Sequence, residues 1–90
     1  MNVLIVGGGL TGSYLAGDLA REGQTVTVIE KREAQAERLR AELPGVRVVT
    51  GDGDEPTNLE DAGIRTADVI VATTGEDEDN LVACLLARQE

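Results

Sequence analysis

Residues 3–12 read VLIVGGGLTG, an aliphatic run that stops on three consecutive glycines. Gly7, Gly9 and Gly12 are spaced GxGxxG, a pattern that carries weight only where a strand leads into it and a helix leads out. Both neighbours fit. Residues 2–6 are aliphatic and β-branched enough for a buried parallel strand, while residues 11–22 set Leu15, Ala16, Leu19 and Ala20 on one helical stripe. In such a corner the first glycine permits a tight turn, the second lets backbone approach a pyrophosphate, and the third lets helix and strand pack closely. Free N–H groups at the helix start then face the phosphates.

Outward from this corner the chain keeps alternating. Gly23 closes the first helix, and residues 25–29 form a second apolar strand that ends on Glu30. That carboxylate falls eighteen residues past Gly12, near where the fingerprint expects an acceptor for adenosine ribose hydroxyls. Lys31 and Arg32 follow at once and bring positive charge to the adenosine end, which tempers the exclusion of a 2′-phosphate. Residues 33–43 read as a polar covering helix with Ala36, Leu39 and Leu43 as its apolar line, stopped by Pro44 and Gly45. Residues 46–50 are the third strand, broken by Gly51, Asp52 and Gly53. Asp54 reads as the N-cap of a short helix, with Pro56 in its first turn and Leu59, Ala62 and Ile64 facing inward. Residues 67–72 are the fourth strand, closed by Thr73, Thr74 and Gly75, and residues 77–88 read as a last helix with Leu81, Leu85 and Leu86 apolar.

The alternation predicts one Rossmann-like α/β domain over residues 1–90, a parallel sheet of four strands in order 3-2-1-4 with helices on both faces. A full domain of this class has six strands, so the chain is expected to be C-terminally truncated relative to it.

Composition narrows the partners. Eight Lys plus Arg against 17 Asp plus Glu give a net charge of −9 with no basic run, which speaks against polyanionic nucleic acid. A dinucleotide differs, because helix N-termini and backbone amides hold its phosphates without a basic patch. The single Cys84 excludes an intrachain disulfide and points to a cytosolic compartment. The opening apolar run lacks the basic flank and cleavage site of a signal peptide, and no stretch is long enough for membrane insertion. With no His, no Cys/His metal cluster and no nucleophile paired with a base, the sequence predicts binding without catalysis.

Gly7 to Gly12, Glu30, Asp52 and Thr73 are expected to gather at the carboxyl ends of four parallel strands, where open α/β sheets bind ligands. The competing reading is a glycine-rich turn kept for packing alone. Asp52 stands equally for an acceptor of an adenine amino group, with the Gly53 amide as a donor to the ring, and for a turn carboxylate bonding its own backbone. Glu76, Asp77, Glu78 and Asp79 suit a helix start through the helix dipole, with a divalent cation or partner contact as the other reading. Asn80 can orient the loop of residues 73–75. Cys84 reads as a small core residue and Tyr14 as a packing or surface residue.

Four stretches, VLIVGGGLTG, VIEKRE, VVTGDGDEPTNLEDAGI and ADVIVATTGEDEDNLVACLLAR, together resemble the N-terminal nucleotide-binding domain of the Trk and Ktr potassium-uptake regulatory proteins, also called the RCK or KTN domain. The resemblance covers nearly the whole chain. Its most specific parts are the GD followed by a short helix ending in AGI, and the succession ATT, D, N, LLAR. It implies a cytoplasmic regulatory subunit, held at the inner face of the cell membrane through its partner, that controls a membrane-embedded potassium transporter or channel. The implied ligand is NAD(H), with ATP, ADP or AMP as alternatives. By matching position, Gly7, Gly9, Leu10 and Thr11 would contact phosphates at the corner that Gly12 completes, Glu30 the ribose, Lys31 or Arg32 the adenosine end, and Asp52 and Gly53 the adenine. Thr73 and Thr74 would lie near the nucleotide's centre, with Gly75 closing their loop. Family domains continue into two further strands and commonly a second ligand-binding domain, both of which the resemblance implies are missing from these 90 residues.

Two other classes fit the same residues: the nucleotide-binding half of an NAD-dependent oxidoreductase, and an excised structural module without nucleotide affinity. Strand order adds one more expectation. The fourth strand, with Val69, Ile70 and Val71, is left at an edge where a fifth would pair, and the last helix adds apolar surface. A homodimer or larger assembly through that edge, that helix or both is therefore expected.

Overall fold

The opening aliphatic run forms β1 (Asn2–Val6), and in the computed structural model the chain continues as α1 (Leu10–Arg21), β2 (Thr25–Glu30), α2 (Glu33–Glu42) and β3 (Arg47–Thr50). A six-residue α3 (Pro56–Asp61), a 3-10 turn (Ile64–Thr66), β4 (Val69–Thr73) and β5 (Leu81–Leu85) follow. The structure describes residues 1–7, 9–53, 55–73 and 81–85, with backbone alone for 10, 11, 73 and 81–85.

The four expected strands pair in parallel in the order β3-β2-β1-β4. Alternation along each strand divides the core in two. Val3, Ile5, Val26 and Val28 meet Ala16 of α1 and Leu39 of α2 on one face, with Leu15, Leu19 and Leu43 packed around them. Leu4 and Ile29 turn to the other face, where Ala62, Leu59 and Ile64 bring α3 and the 3-10 turn against the sheet. Each fully buried Leu or Ile contributes about 1.5–3 kcal/mol by leaving water, so both covers are held by the strands beneath them. α1 ends as a Schellman pair: the Gly23 N–H donates to Ala20 O and the Gln24 N–H to Leu19 O.

Two expectations are corrected at the C-terminal side. Residues 81–85 are not helical: they form β5, antiparallel to β4, with Val69 opposite Leu85 and Thr73 opposite Leu81. A short apolar run reads equally as helix or strand, and the open edge of β4 decides it by offering a full row of backbone partners. That pairing also occupies the β4 edge expected to be open, so an assembly through this side of the described sheet would meet β5 rather than β4. The rest of the expected helix, with Leu86, lies outside the described residues, as do Asp54, the acidic run of residues 76–79 and Asn80. α3 begins instead with Glu55 at its N-cap, which makes no side-chain capping bond.

Candidate functional site

Register places the carboxyl ends of the strands together. Val6 pairs with Ile29 on one side and Ala72 on the other, so Gly7, Glu30 and Thr73 stand at one level beyond them. The chain runs from β1 to β2 and β3 on one side, then crosses to β4 on the other. That reversal makes the end of β1 a topological switch point, where α/β sheets open a crevice.

The glycines of the corner do three different things. Gly7 sits at φ 102, a conformation that side chains disfavour, and its N–H continues the ladder by donating to Ile29 O at 2.7 Å. A Cβ at Gly12 would collide with the Gly7 carbonyl oxygen, so α1 packs tightly behind the turn. Among the described residues a Cβ at Gly9 would meet nothing within 4 Å. Space for a ligand's approach is thus left over the one glycine whose backbone begins α1. Ser13 fixes that start, its N–H and its hydroxyl both donating to Gly9 O at 2.8 Å. Leu10 and Thr11 form the first turn of α1.

Glu30 closes the other side. It continues the alternation of Val26 and Val28 onto the face covered by α1 and α2, and it is 4% exposed. A buried carboxylate needs donors, and Arg32 supplies them. The Arg32 N–H donates to Glu30 Oε2 at 2.7 Å, Nε to the same oxygen at 3.3 Å, and Nη2 to Oε1 at 3.2 Å. Glu30 in turn raises the pKa of the Arg32 guanidinium above its ordinary value, first by hydrogen bonding and then by charge. Lys31 between them is exposed.

From Gly9 and Arg32 an open groove of ≈ 570 Å³ runs between α1 and α2, lined also by Ser13, Gln35 and Leu43. Neither Ser13 nor Gln35 stands out in the sequence. Their only signal is position, one turn into each of the two helices that begin beside the glycine corner.

Asp52 and Gly53 lie past the end of β3 and are built otherwise. Asp52 is exposed, while its backbone carbonyl accepts from Asn58 Nδ2 at 2.9 Å and from the Glu55 N–H at 3.1 Å. A Cβ at Gly53 would collide with Cγ1 of Val6. The β3 loop therefore lies directly on the end of β1. Thr73 ends β4 at the level of Gly7, and Thr74 and Gly75 lie outside the described residues. Among the described residues no three His, Cys, Asp or Glu gather to hold a metal ion, and no helix is long and apolar enough to cross a membrane.

A family model described as the TrkA-N domain matches residues 3–90. The chain is similar to the Trk system potassium uptake protein TrkA homolog of Methanothermobacter thermautotrophicus, 44% identical over 89 residues, covering 99% of this chain and 41% of that protein. It is 36% identical over 88 residues to the same-named protein of Pyrococcus abyssi, covering 98% of this chain and 38% of that protein. With the Trk system potassium uptake protein TrkA of Halomonas elongata it shares 38% identity over 87 residues, covering 97% of this chain and 19% of that protein. The chain thus spans about two fifths of the first two relatives and about a fifth of the third.

Proposed function

The chain belongs to the TrkA-N domain family, and from that premise and the geometry at its strand ends we propose a regulatory domain that binds an adenine nucleotide, NAD(H) before ATP, ADP or AMP. The binding would control a membrane-embedded potassium transporter or channel from its cytoplasmic face, without catalysis by the domain itself.

The observation that carries this reading is the space left open over Gly9 among the described residues, together with a buried carboxylate, Glu30, at the neighbouring strand end. In this reading the backbone at Gly7, Gly9, Leu10 and Thr11 receives the phosphates, helped by the positive end of α1. Glu30 accepts the ribose hydroxyls, Lys31 and Arg32 flank the adenosine, Asp52 and Gly53 face the adenine, and Thr73 to Gly75 border the middle of the ligand. The family's relatives in potassium uptake support the regulatory role. Control follows if the nucleotide favours one conformation of the assembly over another, since a ligand shifts an equilibrium only by its difference in affinity for the two states.

Gly9→Val tests this directly. Gly9 lies at φ −70 in extended backbone, so valine can take the conformation and fill the space that the phosphates need. Calorimetric titration is expected to show NADH and ATP affinity reduced about a hundredfold, ~2.7 kcal/mol, with circular dichroism unchanged. Undiminished affinity in a folded variant would sink the reading.

A further inference from the structure

The carboxylate that the nucleotide reading assigns to the ribose is already held by a neighbour. Glu30 accepts from Arg32 on both oxygens: the N–H and Nε on Oε2, Nη2 on Oε1. A carboxylate offers about four lone-pair sites, and a ribose diol needs one on each oxygen from the side that a ligand can reach. The carboxylate is 4% exposed and the Arg32 side chain bonded to it 58%, so Arg32 is the member of the pair that solvent reaches. A ligand meets Arg32 first.

The three bonds are not equally firm. The Arg32 N–H is fixed by the turn into α2, where Arg32 is the N-cap and its carbonyl accepts from the Ala36 N–H at 2.9 Å. The guanidinium bonds, at 3.3 and 3.2 Å, belong to a long and largely exposed side chain. That side chain also lines the groove of ≈ 570 Å³ with Gly9, Ser13 and Gln35, which gives a displaced guanidinium room to move.

Resting on the nucleotide reading, we propose that the Arg32 guanidinium is a built-in competitor of the ribose for Glu30: the two exclude each other on the carboxylate, and Arg32 must swing away before the hydroxyls bind. Arg32 is then a specificity-determining residue. It lowers affinity for ligands with free ribose hydroxyls, and once displaced it offers a cation to a ligand carrying a 2′-phosphate. The backbone N–H keeps one oxygen of Glu30 oriented throughout.

The test compares the wild-type chain with Arg32→Ala by isothermal titration with ADP, with 2′,3′-dideoxy-ADP and with NADPH, folding being checked by circular dichroism. Removal of the competitor is expected to tighten ADP about three- to tenfold, the factor by which a partly closed site reduces apparent affinity. The dideoxy ligand, which never needs the carboxylate, should gain nothing. NADPH should gain less than ADP or weaken. ADP affinity that is unchanged or lower in Arg32→Ala, while the wild type binds ADP, overturns the competition and leaves the nucleotide reading standing. An equal gain for ADP and its dideoxy analogue also overturns it, since the effect would then bypass the hydroxyls. ADP binding by Arg32→Ala alone supports it in strong form. Binding by neither chain defeats both the site and the competitor.

Discussion

The ends of β2 and β3 each carry an acid that the sequence offers as a nucleotide contact, and they are built on opposite plans. At the end of β2, Glu30 is buried, bonded through both oxygens, and level with a glycine corner that, among the described residues, leaves space open over Gly9. Past β3, Asp52 is exposed, its backbone carbonyl is taken by Asn58 and Glu55, and Gly53 is pressed on Val6. The same residue class at equivalent strand ends thus sits in two different surroundings. Strand alternation sends the first acid inward, near backbone that leaves room for a ligand; at the second, packing closes the backbone and ties the loop to the end of the sheet.

The largest expected effect tests the acids against each other. Glu30→Ala removes an acceptor that would take two charge-assisted bonds from the ribose, each worth ~1.5–3 kcal/mol before partial compensation, so NADH affinity should fall about a hundredfold. It should also erase preference for NADH over NADPH, because the carboxylate that repels a 2′-phosphate is gone. Asp52→Ala should cost less than about threefold, the scale of an exposed contact. Equal losses in calorimetry would break the comparison.

Next comes backbone space. Gly53→Ala puts a methyl against Val6 and should lower unfolding free energy by about 2 kcal/mol, the usual cost of overpacking. Gly9→Ala meets nothing within 4 Å among the described residues and restricts only the unfolded chain, so it should be neutral or stabilising by under ~1 kcal/mol. Urea titrations of the two variants separate them. A similar loss in both would mean that Gly9 also packs against something.

Much of the β2 plan was legible in residues: GxGxxG after an aliphatic strand, a helical stripe beyond it, and an acid closing the second strand determine the corner, the strand order and the position of Glu30. The grip of Arg32 was not, although Arg32 stood out as a nearby charge. Whether a side chain two residues on reaches back depends on the turn, here φ −85 and ψ 115 at Arg32, which no periodicity reports. β5 is hidden from the sequence for a related reason. Leu81–Leu85 holds a single β-branched residue, so local preference favours a helix, and the pairing with β4 that overrides it is a contact between distant segments. Gly53 reads as a turn glycine; its seat on Val6 emerges only once β1 and β3 are folded into one sheet.

The smallest expected effect concerns how the end of β3 is held. Arg40 of α2 donates through Nη2 to Val48 O at 3.2 Å and to Thr50 Oγ1 at 2.9 Å, and through Nη1 to Glu37 at 3.0 Å. β3 is the terminal strand of the sheet on this side, so the guanidinium covers acceptors on an edge that would otherwise invite another chain. All of these groups keep access to water, which discounts the bonds to a total of about 0.5–1 kcal/mol. For a domain of this size that loss corresponds to a fall in Tm of roughly 2–8 °C in Arg40→Ala, read by differential scanning calorimetry. NADH affinity should stay within about twofold, the spread of an exposed change remote from the ligand. A clear fall in affinity together with a preserved Tm would mean that β3 is tied to the ligand rather than to the sheet. The two strand ends would then share one purpose, and the contrast between Glu30 and Asp52 would be one of degree.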